Sequence, residues 1–206
     1  MNKPRTTPET ARDETLPQGP DRLPGDPTPE EMVERIIRVD HAGEYGAVRI
    51  YQGQLAVLGR AKGRAGASDK CGLIEHMLEQ EKHHLETFNG LVADRRVRPT
   101  ALLPFWHAAG FALGAATALM GEKAAMACTV AVEEAIDEHY QGQIEALAPY
   151  EGEKPLRETC AKFREEELEH RDTGLEHGAE QAPGYELLSG AIKAGSKLAI
   201  WLSTRI

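Results

Sequence analysis

The chain has 206 residues, a formal net charge of −9 and only 5% aromatic residues. Its length suits a single domain with a sizeable core, and its acidic balance argues against a nucleic-acid partner, because phosphates are bound by cationic surfaces. The three cysteines (Cys71, Cys128 and Cys160) are odd in number and far apart, which argues against a disulfide framework or a zinc site and indicates a reducing compartment.

The N-terminal segment differs in composition from the rest. Residues 1–27 hold six of the twelve prolines and almost no aliphatic residues, a composition that predicts a disordered tail. The segment lacks the apolar run of a secretory signal, and its acidic residues are atypical of a mitochondrial transit peptide. We therefore expect a bacterial-type cytoplasmic protein with one folded domain over residues 28–206.

The first helix has a clear start signal. Thr28 suits an N-cap, Pro29 the first helical position and Glu31 the third position of a capping box, and the helix is predicted to reach about Arg60. Apolar residues recur along it at helical spacing, but the carboxylates Asp40 and Glu44 interrupt this stripe. Acidic side chains inside a core stripe are costly unless they are paired or bind a metal.

Two glycines flank Glu44 and lower the helix propensity there. Gly43 and Gly46 each cost roughly 1 kcal/mol relative to alanine. The close approach of a neighbouring helix or of a ligand would explain both.

The second helix should begin at Ser68 or Asp69 and run to about Val97. Residues 99–121 carry no formal charge, but Pro104 and three glycines interrupt them. We therefore predict a short third helix, buried against the bundle or lying in a bilayer interface, rather than a transmembrane span.

Three further helices complete the chain. They are predicted over residues 122–148, from about Pro155 to before Pro183, and from Tyr185 towards the C-terminus. The last is amphipathic and carries basic residues, so it could rest on an anionic membrane, pack on the bundle or contact a partner subunit. These basic residues are Lys193, Lys197 and Arg205.

One pattern occurs twice: a lone glutamate, followed on a later helix by a Glu-x-x-His motif. A Glu and a His three residues apart share one helix face, and two antiparallel hairpins would bring both copies together. Four carboxylates and two imidazoles form the ligand set of a di-iron or di-manganese site in a four-helix bundle. The candidate ligands are Glu44, Glu81 and His84 in the first copy, and Glu133, Glu167 and His170 in the second.

Four carboxylates balance the charge of two Fe(II) ions and leave coordination positions open for O₂. Glu81 and Glu167 are the natural bridging pair, because each lies at the centre of a Glu-x-x-His motif. Three alternatives stay open: Glu134 for Glu133, His83 for His84, and Glu166 for Glu167.

Other polar residues are candidates to contact the ligands. Asp40 and Asp172 could accept the distal N–H of a ligating histidine. His139 and Tyr140 follow Glu133 within two helical turns and could lie beside the site. The remaining histidines have no counterpart in the repeat and are expected to be ordinary surface or core residues.

The residues around the ligands resemble the demethoxyubiquinone hydroxylase family of ubiquinone biosynthesis. The resemblance covers about residues 30 to 206 and includes all six candidate ligands. It is carried by Arg38–Ala47, Gln80–Leu85, Arg96–Thr100, Met126–Glu134 and Glu166–His170. It implies an all-α, ferritin-like four-helix bundle with two additional membrane-facing helices.

The resemblance also implies a function. The protein would be a monooxygenase with two iron ions, peripheral on the cytoplasmic face of the cell membrane. It would use O₂ to hydroxylate a polyprenylated demethoxyubiquinol (2-polyprenyl-3-methyl-6-methoxy-1,4-benzoquinol), with electrons ultimately from NADH. A lipid-binding partner protein and a homo-oligomer are further expectations. No dinucleotide-binding glycine fingerprint is present in the chain.

Two other functions fit parts of the pattern. A ferritin- or rubrerythrin-like iron-handling protein would share the ligands, but it needs neither the uncharged segment nor the basic last helix. A structural protein in which metal only stabilises the bundle would tolerate replacement of all six ligands by packing residues.

Overall fold

Six α-helices make up most of the computed structural model, which describes residue 23, residues 25–59 and residues 67–206; the side chains of residues 67–70 are not described. No strand occurs within these ranges. The helices are α1 (Pro29–Leu58), α2 (Ala67–Asp94), α3 (Leu103–Leu119), α4 (Glu122–Leu147), α5 (Lys154–Glu176) and α6 (Tyr185–Ser203). Most of the predicted tail and the Ser68 and Asp69 capping side chains lie outside the described residues.

The start of α1 confirms the predicted capping box. The Thr28 hydroxyl accepts a hydrogen bond from the Glu31 backbone N–H at 3.1 Å, and the Glu31 carboxylate accepts one from the Thr28 N–H at 2.8 Å. These contacts pair two of the N–H groups that a helix start leaves free. At the other end, α1 stops at Leu58, slightly before the predicted Arg60.

The second helix ends three residues before the predicted Val97. The chain leaves the helix at Arg96, which adopts a positive φ of 54°, and the Val97 N–H returns to the carbonyl of Val92 at 3.0 Å. This turn buries the Val97 side chain against Phe88 and neighbouring core residues. The burial of Val97 therefore comes from the turn and not from a longer helix.

The four long helices form the ferritin-like bundle. α1 packs against α2, and α4 packs against α5. Buried apolar side chains form one cluster around Met77 and Met126 and another around Phe88 and Phe163. The first cluster includes Tyr51 and the second Tyr140, and the hydroxyls of these two residues reach the buried carboxylates of the site.

The third helix lies very close to α1, and glycines permit this. A Cβ atom at Gly114 would overlap the Ile50 carbonyl, and one at Gly110 would lie 2.9 Å from the Gly46 carbonyl oxygen. Helix α3 therefore approaches the Gly46 carbonyl. A Cβ added at Gly43 or at Gly46 would meet no described atom within 4 Å, so the packing of a neighbouring helix does not explain why these two positions are glycine.

The sixth helix packs on α4, as α3 packs on α1. In each half of the chain, the third helix (α3 or α6) therefore covers the first helix (α1 or α4). Lys193 pairs with Glu134, and Lys197 pairs with Glu138 at 2.7 Å. Of the alternatives left open for the last helix, packing on the bundle is the one observed for these two lysines, which bind carboxylates of α4. The guanidinium of Arg205 stacks on the Trp201 ring, 4.4 Å from its centroid.

Large apolar side chains remain exposed on α3 and α6 and at their ends. Those more than half exposed are Phe105, Leu119, Met120, Leu187, Leu198 and Trp201. Within the described part of the chain, no helix has both the length and the apolar character needed to cross a bilayer.

Candidate metal centre

The structure brings all six candidate ligands together in the interior of the bundle. Each is at least 96% buried. They form two groups whose potential ligand atoms all lie within 4.8 Å of one another, and both groups contain Glu81 and Glu167. The first group adds Glu44 and His84, and the second adds Glu133 and His170.

Glu167 lies between the two histidines. Its Oε1 is 3.1 Å from His84 Nδ1, and its Oε2 is 3.1 Å from His170 Nδ1. The other carboxylates surround the same nitrogens: Glu44 Oε2 is 3.4 Å from His84 Nδ1, and Glu81 Oε1 is 3.2 Å from His170 Nδ1. One carboxylate therefore presents a separate oxygen to each half of the site, which is the arrangement that a bridging ligand needs.

Several carboxylate oxygens here accept no hydrogen bond from the described residues. Both oxygens of Glu81 and Oε2 of Glu133 are in this state. A buried unpaired carboxylate oxygen is strongly unfavourable, so such atoms indicate an absent cation. Carboxylate oxygens with imidazole nitrogens suit iron or manganese. The residues present thus fit a pair of metal ions.

The pKa values of the buried carboxyl groups are shifted in opposite directions. Burial, reinforced by the charge of Glu167, raises the pKa values of Glu81 and Glu133 well above the usual range. Burial also opposes ionisation of Glu167, but hydrogen bonds from His170 and His84 lower its pKa to about 2. Without metal, protons therefore balance much of the negative charge, and metal binding must release them.

Two tyrosines bind the outer carboxylates reciprocally across the bundle. The hydroxyl of Tyr51 on α1 donates to Glu133 Oε1 on α4 at 3.0 Å, and the hydroxyl of Tyr140 on α4 donates to Glu44 Oε1 on α1 at 2.5 Å. Tyr140 was predicted to lie beside the site, whereas Tyr51 was not singled out from the sequence. Each tyrosine follows its own helix's glutamate by seven residues, a repeated spacing that would have indicated Tyr51.

The distal nitrogens of the two histidines are bound in the same reciprocal way. His84 Nε2 lies 2.6 Å from Glu166 Oε2, and His170 Nε2 lies 3.0 Å from Gln80 Oε1. Both partners are acceptors, so each Nε2 carries a proton, and each Nδ1 is the atom that can bind a metal once its own proton is lost. Sequence reasoning missed both roles, although each partner immediately precedes the glutamate of a Glu-x-x-His motif.

The predicted acceptors Asp40 and Asp172 do not bind these histidines. Asp172 is largely exposed and pairs with Arg171, because its position two residues after His170 lies on another side of α5. Asp40 is buried, but it binds His139 and Gln143. These two assignments were wrong.

The alternative ligands lie outside the two groups. Glu134 pairs with Lys193, His83 is exposed, and Glu166 binds the distal nitrogen of His84.

An apolar cavity of about 520 Å³ runs beside the site, between α1, α3, α4 and α6. Gly43 and Ala47 on α1 and Val132 and Ile136 on α4 line it, each within one helical turn of Glu44 or Glu133. Trp106 and Ser203 line it from α3 and α6, and the Trp106 indole N–H donates to the Ser203 hydroxyl at 3.0 Å. Its size and lining suit a small, largely apolar molecule.

Comparison with known proteins identifies the family. The family model described as "Ubiquinone biosynthesis protein COQ7" matches residues 31–203. The chain is 63% identical over 186 residues to a 3-demethoxyubiquinol 3-hydroxylase of Rhodospirillum rubrum, covering 90% of this chain and 84% of that protein. It is 56% identical over 176 residues to the human protein named NADPH-dependent 3-demethoxyubiquinone 3-hydroxylase, mitochondrial, covering 84% and 78%.

A more distant relative is the mitochondrial 5-demethoxyubiquinone hydroxylase of Saccharomyces cerevisiae. It is 43% identical over 188 residues, covering 85% of this chain and 78% of the yeast protein. The family match spans all six helices, the six convergent side chains and the residues that bind them. The chain therefore belongs to the COQ7 family of ubiquinone biosynthesis proteins, the demethoxyubiquinone hydroxylases that its motifs resemble.

Proposed function

We propose that this protein is a di-iron monooxygenase that hydroxylates the ring of a polyprenylated demethoxyubiquinol with O₂. The names of its relatives support the reaction. The observation that carries the proposal is the joint presence of two carboxylate–histidine groups sharing two glutamates and an apolar cavity beside them.

Each half of the site would hold one iron. Glu44 and His84 would bind the first ion, Glu133 and His170 the second, and Glu81 with Glu167 would span both. The bound ferrous pair supplies the coordination positions and electrons for reducing O₂.

The chain's own residues would orient these groups and exclude water. Tyr51 and Tyr140 would each hold one oxygen of an outer glutamate and leave the other oxygen to the metal. The apolar lining of the cavity would bind the quinol ring beside Glu44 and Glu133, and the small residues Gly43 and Ala47 leave room for a planar ring there.

The reductant is proposed to be a reduced nicotinamide nucleotide. The family resemblance implied NADH, whereas the human relative's name specifies NADPH. Both nucleotides must therefore be compared. In either case the nucleotide delivers two electrons, one oxygen atom enters the ring, and the other leaves as water.

Peripheral attachment to the cytoplasmic face of the cell membrane would give access to a substrate with an isoprenoid tail. The exposed side chains of Phe105, Leu198 and Trp201 lie on α3 and α6, the two helices that flank the cavity. Because Lys193 and Lys197 are paired with α4, we propose that attachment is mainly apolar. Binding to a lipid-binding partner protein and homo-oligomerisation remain proposals from the family resemblance.

The iron-handling alternative explains the ligands but not the cavity. Iron storage or ferroxidation requires a polar route for ions, and the described cavity is lined mainly by aliphatic side chains and glycines. The hydroxylase proposal accounts for both features.

The test is turnover by the iron-loaded protein. A short-chain demethoxyubiquinol is incubated with ¹⁸O₂ and either NADH or NADPH, and the quinones are read by mass spectrometry. We expect one ¹⁸O atom in the hydroxylated ring. Iron uptake without ring hydroxylation, together with failure to restore ubiquinone in a strain that accumulates demethoxyubiquinone, would refute the proposal.

A further inference from the structure

A buried carboxylate, Asp40, binds the partly exposed His139 close to the metal site. Asp40 is 3% exposed and lies one helical turn before Glu44 on α1. Its Oδ1 is 3.1 Å from His139 Nε2 and 2.6 Å from Gln143 Nε2. Its Oδ2 has no hydrogen-bond partner among the residues that the structure describes. One oxygen is thus held by α4, and the other is free to take part in a further contact.

His139 is the member of this group that reaches solvent. Its side chain is 20% exposed. Together with Arg35, Glu138 and Gln143 it lines a second cavity of about 330 Å³, which is separate from the large apolar one. Water can therefore approach the imidazole from this side without passing through the substrate cavity.

The inner end of the group lies beside Tyr140 and Glu44. Tyr140 follows His139 in the chain, and its hydroxyl donates to Glu44 Oε1. Asp40 and Glu44 are one turn apart on α1, and their partners His139 and Tyr140 are consecutive on α4, so the Asp40–His139 contact adjoins the Glu44–Tyr140 contact. A solvent-accessible imidazole and its buried carboxylate therefore lie next to the Tyr140–Glu44 edge of the site.

Proton occupancy within the group can alternate. Gln143 Nε2 is a donor and lies 2.8 Å from His139 Nε2, which also contacts Asp40. His139 Nε2 can donate to ionised Asp40, or it can accept from protonated Asp40. Burial raises the pKa of Asp40, and the hydrogen bond from His139 opposes this rise.

We propose that Asp40 and His139 form the entry route by which solvent protons reach the metal site. The proposal rests on the proposed function. In that reaction a ring C–H bond and the O–O bond break, and a ring C–O bond and water form. The reduced nicotinamide supplies two electrons and one proton, so one further proton per turnover comes from solvent.

The groups facing this route are few. Glu44 and Arg35 face it from α1, Glu138 and Tyr140 from α4, and Cys160 from α5. In this role Asp40 and His139 are positioning residues, because they act through the site and do not touch the substrate.

The experiment compares Asp40→Asn and His139→Gln with wild type and with the control His177→Gln, whose imidazole binds the Thr173 carbonyl at the end of α5. Asn and Gln retain hydrogen bonding but cannot relay a proton. We expect both variants to bind two irons, to lose about tenfold or more in single-turnover rate, and to show an altered solvent deuterium isotope effect. Imidazole should restore turnover to His139→Ala, because the second cavity opens beside that residue.

A readout without turnover uses the metal-free protein. Nitrogen-15 NMR should show the His139 Nε2 proton hydrogen-bonded in wild type and displaced in Asp40→Asn. The proposal is overturned if both variants keep the wild-type rate and isotope effect, or if rate falls only in proportion to lost iron. An inactive wild type would refute the proposed function instead, and the NMR result would then stand alone.

Discussion

The Tyr51 hydroxyl donates a 3.0 Å hydrogen bond to Glu133, across the bundle from α1 to α4. Its counterpart is the contact from Tyr140 back to Glu44. Each contact holds one oxygen of Glu133 or Glu44. The orientation of these two candidate ligands therefore depends on how α1 and α4 are placed relative to each other.

Replacing either tyrosine should weaken metal binding in one half of the site. Tyr51→Phe frees Glu133 to rotate, and Tyr140→Phe frees Glu44. We expect the affinity of the corresponding ion to fall by about 10- to 100-fold. Titration of metal-free protein with Mn(II) or Co(II), followed by calorimetry, measures each step. Tyr45→Phe is the control, because Tyr45 binds His107; an equal effect there would contradict a site-specific role.

Glu81→Gln should abolish the binding of two metals yet stabilise the metal-free fold. Burial and the charge of Glu167 raise the pKa of Glu81, so its ionised form costs stability at neutral pH, and a neutral amide removes that cost. A higher Tm without metal, lost stabilisation by iron and lost turnover are expected. Retained binding of two irons would remove Glu81 as a bridging ligand. Glu167→Gln should also lose both irons, without the gain in Tm.

The stability of the metal-free protein should fall as pH rises from about 6.5 to 9. Although burial opposes protonation of His84, the hydrogen bonds that it donates to Glu167 and Glu44 raise its pKa to about 12, and the pKa of His170 is also raised. Above the unfolded-state value of 6.5 the folded chain holds protons that the unfolded chain has lost, which costs about 1 kcal/mol per pH unit for each such proton. The raised pKa of Glu81 acts in the same direction.

Denaturant unfolding at several pH values tests this dependence. Iron should reverse the trend, because ligating histidines must lose their Nδ1 protons before the metal binds. A metal-free protein whose stability rises with pH over this range would contradict the raised pKa values of His84 and His170.

A side chain added at Gly43 should block the apolar cavity. Gly43 has no described atom within 4 Å of an added Cβ and lines the cavity, so Gly43→Leu projects into it. The substitution should also stabilise the helix by about 1 kcal/mol. We expect a higher KM for the quinol with unchanged iron content. Gly90→Leu, at an exposed position on α2, is the matched control. It should stabilise the protein without changing the KM for the quinol.

Membrane attachment should depend on apolar side chains more than on charge. Substituting Phe105, Leu198 and Trp201 by serine should lower partition into liposomes, measured by sedimentation, and leave the iron content unchanged. Because Lys193 and Lys197 bind α4 carboxylates, raising the salt concentration should have a smaller effect. If the triple variant still partitions into liposomes as the wild type does, these three side chains do not attach the protein to membranes.

The local features of the fold could be predicted from the amino-acid sequence. The capping box at Thr28 and the proline and glycine boundaries depend on neighbours a few residues away, so they predicted the six helices closely. The duplicated Glu and Glu-x-x-His pattern likewise identified the six convergent side chains, because helical spacing alone places a Glu and a His on one face.

The long-range partners were decided by the tertiary structure. Asp40 and Asp172 were assigned to the ligating histidines by their nearness in sequence, whereas Gln80 and Glu166 occupy those positions from the opposite hairpin. From the sequence, Lys193 and Lys197 were interpreted as part of a basic helix that could contact a membrane. In the structure α6 packs on α4, and both lysines bind glutamates of that helix. Helical periodicity predicts which face of a helix a residue occupies. Only the packing of two helices determines which residues of the neighbouring helix that face contacts.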